Sequence, residues 1–497
     1  MKSIVATRHN IIANYIGAVW TALMGFVFVP FYLRYIGADG YGLVGVFLML
    51  SSIMAIFDGG LGMVASRECA AFAGLPEPGK RDTVALLRTM EAVFWGVAVL
   101  AGLAVSLMAH WIVEFWINVP VQRVEETTAG VRLMGIALLF QFPAGFYSGC
   151  LNGLQHQVRL NVVVALAATI RGVGALLVLS HVAPTIGAYF GWQALSGAVT
   201  ALILRFTLWQ LTGHTLNQPR FAPAMLKRVG NFAAGVAGIN VLSLLLMQSD
   251  KIILSKVLSL EQFGYYTLAW ALATMIYRVT GPLSTAYFPR LAQFSHSGDK
   301  RSLFSTYQNA SRVIGMLVAP LCLWIAVFSR PILTLWTQNP SIAEAASLPL
   351  SLLSVGTMLH CFMHIPYSMQ LALNHTSLAI WQNVIASAAL VPLTYFLATH
   401  FGLIGAAVPW FILNLACVLV MPYLIHRKLH VPNLMSWYGQ AIFWPVLLSG
   451  IALAIAYVCY ADIPGNRLLS LSVVGVGLGF ALLLVLMKEK LPLRRQP

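Results

Sequence analysis

The sequence predicts an all-α, polytopic membrane protein of about 14 transmembrane helices, laid out as two pseudo-symmetric six-helix lobes followed by a C-terminal helix pair. Three observations carry that prediction. Stretches of about 20 apolar residues, the length an α-helix needs to cross the hydrocarbon core, recur along nearly the whole chain. Apolar residues make up 59% of the chain and charged residues 9%, against roughly 25% charged in an ordinary soluble domain. Basic residues gather in alternate connections between the stretches, which is the mark of membrane topology. The net charge of +15 therefore does not imply a nucleic-acid partner.

In chain order the spans fall at about 11–35, 41–65, 86–109, 129–152, 158–181, 184–207, 229–249, 263–288, 308–329, 346–372, 377–399, 402–425, 438–460 and 466–487. Lys2 and Arg8 precede the first run, as they would in a signal peptide. That run continues past Pro30 to Tyr35, too long for a signal core, and lacks a small-residue cleavage site, so it is read as the first span. Trp111, Trp116, Trp336 and Tyr460 sit at span ends, where aromatic side chains favour the interface. Pro143, Pro282, Pro320, Pro366, Pro392 and Pro409 fall inside spans, where kinked helices bend around cavities and act as hinges. Cys69, Cys150, Cys322, Cys361, Cys417 and Cys459 lie in or beside apolar segments without paired spacing. They read as small apolar residues, not disulfides or metal ligands.

Of the 30 Lys and Arg residues, 21 fall on the side that includes both termini. Seven fall on the other: Arg34, Arg123, Arg132, Lys251, Lys256, Arg330 and Arg467. The first side is then cytoplasmic, both termini lie inside, and the number of spans is even. The remaining two, Arg171 and Arg278, fall within helices. The two halves echo one another. Asn14, Gly40-Tyr41-Gly42 and Arg67 in the first correspond to Asn231, Gly264-Tyr265-Tyr266 and Arg290 in the second, at an offset of about 220 residues. This divides the chain into an N-terminal lobe (1–207, helices 1–6), a cytoplasmic linker (208–228, with Gly213, Pro219 and Pro223), a C-terminal lobe (229–430, helices 7–12), and helices 13–14 with a basic cytoplasmic tail (431–497). Parallel repeats of this kind place a substrate site between the lobes.

Few residues carry chemistry. Gly74-Leu75-Pro76-Glu77-Pro78-Gly79-Lys80 imitates a phosphate-binding loop. Arg81 stands where Ser or Thr must hold magnesium, two prolines remove amide donors, and no strand precedes it, so nucleotide binding is rejected. Ionisable residues inside spans are Asp58, Glu91, Arg171, Asp250, Lys251, Arg278, His360 and His364. A charge at mid-bilayer costs at least about 2.5–3.5 kcal/mol, so such residues face protein or water. Arg171 and Arg278 are read as cavity cations, with a structural ion pair as the competing reading for Arg278. Asp58 is either a cavity acid or a cap beside the Gly59-Gly60 kink. Glu91, one turn in, is expected to snorkel, and Asp250-Lys251 to form an interfacial pair. His360 and His364, four apart, share a helix face; without a third ligand they read as cavity-facing histidines and not a metal site. Gln141, Asn240, Gln248 and Gln370 are candidates for sugar hydroxyls or for interhelical hydrogen bonds. By the repeat offset Arg278 aligns near Ala55, one turn from Asp58, and an Asp58–Arg278 ion pair would hold one side closed until substrate competes for the arginine.

Asn14-Tyr15, Trp20, Pro30, Tyr32, Arg34-Tyr35-Ile36-Gly37, Gly40-Tyr41-Gly42 and Asp58-Gly59-Gly60-Leu61-Gly62 resemble the start of the polysaccharide transporter family. These are Wzx-type flippases of the multidrug/oligosaccharidyl-lipid/polysaccharide exporter superfamily. Gln248-Ser249-Asp250-Lys251, followed by Gly264-Tyr265-Tyr266, resembles the start of that family's second lobe. The resemblance implies a cofactor-free, non-enzymatic flippase of a bacterial inner membrane. It would move an undecaprenyl-pyrophosphate-linked oligosaccharide to the periplasmic leaflet by alternating access, for surface polysaccharide or O-antigen assembly. A coupling ion (proton or sodium), a polysaccharide polymerase and assembly proteins are the partners it implies. Buried arginine forks suit the pyrophosphate. The rivals are a peptidoglycan-precursor flippase and a drug/cation antiporter, and the scarcity of intramembrane acids counts against the latter.

Overall fold

The computed structural model describes residues 2–55, 61–72, 74–212, 247–373, 376–461 and 475–485. Among them the backbone is helical, apart from turns and one isolated parallel bridge between Asn118 and Ser259. The chain divides into two compact units, Met1–Gly264 and Tyr265–Pro497. The expected linker lies outside the described residues from position 213 onward.

The first unit holds α1 (Lys2–Val27), α2 (Val29–Met54), α3 (Leu61–Phe72), α4 (Glu77–Leu107), α5 (Val124–Gly153), α6 (Gln157–His181), α7 (Ile186–Leu211) and α8 (247–257). The expected first span, 11–35, runs through α1 (to Val27) into the start of α2 (from Val29) and is interrupted at Phe28. Pro30 explains the break. It lies in the first turn of α2, where a missing amide leaves no bond unmade. Within α2, Gly37 takes φ 70°, ψ −179°, a conformation open essentially to glycine alone, and the helix restarts beyond it.

Helix α5 is the centre of the unit and packs on α3, α4 and α7. Glycines allow the approach: a Cβ at Gly102 or Gly135 would run into backbone oxygen of the other helix, and one at Gly153 into that of Ser66 on α3. Leu87, Met90, Phe94, Phe146, Tyr147, Cys150 and Leu151 fill the core between them. Helix α1 lies along α6, tied by Trp20 Nε1 to Thr169 Oγ1 (2.9 Å) and by Asn14 Nδ2 to Gln157 Oε1 (2.6 Å). At one end of the unit, Arg123 pairs with Asp39 at 2.5 Å and Leu260 N donates to Asn118 O at 3.3 Å. At the other end, Asn10 Nδ2 donates to Gln155 O at 3.2 Å.

Helix α9 (Leu260–Ala273) crosses the division between units. The second unit continues with α10 (Tyr277–Ser297), α11 (Lys300–Val327), α12 (Ser329–Thr337), α13 (Pro340–Phe362), α14 (His364–Ala372), α15 (Thr376–Lys428), α16 (Leu434–Tyr438), α17 (Trp444–Ala461) and α18 (Gly475–Val485). Here α13 takes the central place, packed on α11 and α15. A Cβ at Gly356 would press on Trp410 and Phe411, which locates the contact in the second half of α15. Straight, the 53 residues of α15 would extend about 80 Å, far beyond one bilayer crossing. Gly402 at φ 56°, ψ −133° breaks the helix, and the expected spans 377–399 and 402–425 lie on either side.

Among the described residues nine helices are long and apolar enough to cross a membrane, with Ile380–Lys428 counted as one. The expected span 229–249 lies almost wholly outside the described residues, and 466–487 partly so. The protein is an all-α, multi-pass membrane protein.

Candidate functional site

Arg171 is the fifteenth residue of α6, and its neighbours make room for bulky rings. A Cβ at Gly172 would overlap the Phe28 ring, and one at Gly174 would fall on the Trp192 indole. Trp192 Nε1 donates to the carbonyl oxygens of Ile170 (3.3 Å) and Arg171 (3.2 Å), so the indole is locked against this stretch of helix. The Arg171 side chain lies within electrostatic reach of the buried Tyr32 and Tyr189 hydroxyls. Their rings meet edge-on at 5.2 Å, and Gln193 bonds to Tyr189. Nε of Arg171 is buried without a hydrogen-bond partner, and the residue makes no ion pair among the described residues. A guanidinium near tyrosine hydroxyls, with no carboxylate paired to it among the described residues, keeps its charge available to an anion.

Gln141, on α5, lines a separate cavity of about 390 Å³ with Ser51, Ala55, Gly62, Phe94 and Gly145. Arg171 is not in its wall, so Gln141 and Arg171 lie at different places in this unit.

Glu91 departs from expectation. It does not snorkel; it is 7% exposed. Its carboxylate accepts from Tyr147 Oη (2.6 Å), Arg205 Nε (2.7 Å) and Trp209 Nε1 (3.2 Å). Trp95 Nε1 in turn donates to Tyr147 Oη at 2.9 Å, and Arg88 lies over the Trp209 ring at 5.0 Å. The partners come from α4, α5 and α7, which the sequence separates by up to 118 residues. No local spacing announced this network. Asp250 and Lys251 bridge at 3.2 Å, as expected for that pair.

In the second unit the structure brings His360 and His364 together, ring centroids 5.2 Å apart. Tyr277 joins both: its hydroxyl is 3.1 Å from His360 Nδ1, and its ring is 5.9 Å from that of His364. Trp410 packs against His360 at 5.4 Å and donates to Thr357 Oγ1 at 3.2 Å, and Trp270 meets Trp410 at 5.2 Å. Tyr277, Trp270 and Trp410 had no signal in the sequence, because each is remote from the histidines along the chain. Arg278 follows Tyr277 and is exposed on this unit. Gln370 is 1% exposed with both amide atoms unpartnered among the described residues, and Gln248 Oε1 is likewise buried and unpartnered. Asp58 and Asn240 lie outside the described residues, and the Asp58–Arg278 pair with them.

The fold is similar to that of a solved lipid II flippase MurJ in an inward closed conformation, with a TM-score of 0.71 at 14% identity, covering 98% of this chain and 99% of that one. In sequence, a putative O-antigen transporter of Shigella flexneri is 20% identical over 434 residues, 85% of this chain and 98% of that protein. The succinoglycan biosynthesis transport protein ExoT of Rhizobium meliloti (strain 1021) is 21% identical over 494 residues, 95% of this chain and 90% of its own length. Residues 7–295, more than half of the chain, match the family described as polysaccharide biosynthesis protein, and the chain belongs to that family.

Proposed function

We propose that this protein is a flippase for an undecaprenyl-pyrophosphate-linked oligosaccharide, carrying it from the cytoplasmic to the periplasmic leaflet of a bacterial inner membrane by alternating access. The product would feed surface polysaccharide or O-antigen assembly. The observation that carries the reading is Arg171, an arginine within a spanning helix, within electrostatic reach of Tyr32 and Tyr189 and paired to no carboxylate among the described residues. An anionic headgroup would complete it: planar N–H donors match pyrophosphate oxygens. Arg278, on the second unit, would supply a further cation, and Gln141, Asn240, Gln248, His360 and His364 the contacts to sugars. The described intramembrane acids point the same way. Glu91 is bonded to Arg205 and Asp250 to Lys251, so neither is a free counter-charge for a cationic drug.

Membership of a polysaccharide biosynthesis family and the names of both relatives favour a surface glycan over a peptidoglycan precursor. A proton or sodium gradient would drive the cycle, and a polymerase with its assembly proteins would take the product. Deletion of the protein tests the reading. A lipid-linked surface-glycan unit should accumulate on the cytoplasmic leaflet; accumulation of a peptidoglycan precursor instead would replace the substrate, and no accumulation of either would refute transport.

A further inference from the structure

The first unit carries a second cavity, of about 790 Å³, that none of the roles above uses. It opens beside a π-helical turn, Ile112–Trp116, which follows α4. Such turns are rare and often mark functional sites, because the extra residue re-aims the side chains that follow. Here the turn presents Trp116. Its Nε1 donates to Ser255 Oγ at 3.1 Å, and Lys256 Nζ sits 5.4 Å from the ring centroid.

The opposite wall is one face of α5. Glu125, Thr128 and Arg132 recur at intervals of three and four residues and so line up along that face. Glu125 and Arg132 stand two turns apart, roughly 10 Å along the axis, too far to pair with one another. Among the described residues neither they nor Lys256 form an ion pair. The wall also carries Glu114, paired with His110 at 3.3 Å, while Glu125, Arg132 and Lys256 face the cavity without neutralising one another. A simple anion would meet Glu125, and a cation would meet Arg132 and Lys256. A neutral polyol, whose hydroxyls both donate and accept, suits the set, with the indole offering a flat apolar face to a sugar ring. The volume is of the size that holds small-molecule ligands.

We infer that this cavity binds the saccharide portion of the glycan, as a site separate from Arg171, at the end of the unit that the distribution of basic residues assigns to the periplasm. The inference rests on the flippase reading, and its test separates the two. The lipid-linked glycan that accumulates in a deletion strain is isolated, and its oligosaccharide is released by mild acid. That oligosaccharide, free of lipid and pyrophosphate, is titrated calorimetrically against the purified full-length protein in nanodiscs. Trp116→Ala should weaken binding about tenfold, equivalent to ~1.4 kcal/mol. Arg132→Gln, a change of an exposed side chain that spares the fold, should do the same. Arg159→Gln, at the opposite end of the unit, should leave affinity unchanged. No binding by the parent protein, or an unchanged Kd in both cavity variants, overturns the pocket while transport stands. Absence of any accumulated glycan overturns the transport reading and the pocket with it.

Discussion

Arg171 and Glu91 are opposite solutions to the same cost, that of a charge within a spanning helix. Glu91 is closed off by three donors, one of them the Arg205 guanidinium. Arg171 has tyrosine hydroxyls near it and, among the described residues, no paired acid. We read the first arrangement as structural and propose the second as receptive, and substitutions should separate them. Glu91→Ala leaves the fully buried Tyr147 hydroxyl without its acceptor and should cost ~2–4 kcal/mol, with the half-exposed Arg205 contributing little. Thermal unfolding in detergent reads this directly: the Ala variant should melt well below the parent and Glu91→Gln in between. An unshifted Ala variant would show that the network carries no stability. Arg171→Ala should melt near the parent yet abolish accumulation-reversing transport in a complementation assay, and Arg171→Lys should restore only part, because an ammonium lacks the planar fork. Full complementation by the Ala variant would remove Arg171 from the site.

At the scale of elements, two glycines set where helices end. Gly37 and Gly402 adopt positive φ with extended or near-extended ψ, a region that a Cβ makes costly. Ala at either position should destabilise by roughly 1–3 kcal/mol. Gly25 supplies the control. It lies within α1 with open space around a would-be Cβ, so Gly25→Ala should be neutral or stabilising by up to about 1 kcal/mol. Equal melting temperatures for all three variants would mean that these breaks are not enforced by backbone strain. The same scale explains the interruption within the expected first span. An apolar run reads continuously through Pro30, but proline in the first turn starts a helix more easily than it continues one.

For the whole molecule the predicted quantity is orientation. The excess of basic residues on one side places Lys300 in the cytoplasm and Asp462 in the periplasm. Reporter fusions at these two positions should read opposite sides, and the same side for both would overturn the topology. Within each unit one long helix, α5 or α13, is central and packs on an earlier helix, α4 or α11, and on a later one, α7 or α15. Composition and periodicity alone were enough to determine an all-α, multi-pass protein, because a bilayer imposes length and apolarity on each span separately. Arg171 was legible for the same reason: its cost is local. Three features were decided only by tertiary structure: the Glu91 hub, the Tyr277–His360–Trp410 cluster, and the cavity beside Trp116. Each joins residues far apart in the chain, and no one-dimensional pattern records which faces of two helices will meet. Glu91 lies one turn inside its span whether it snorkels or is buried; the packing of α5 and α7 against α4 is what buries it.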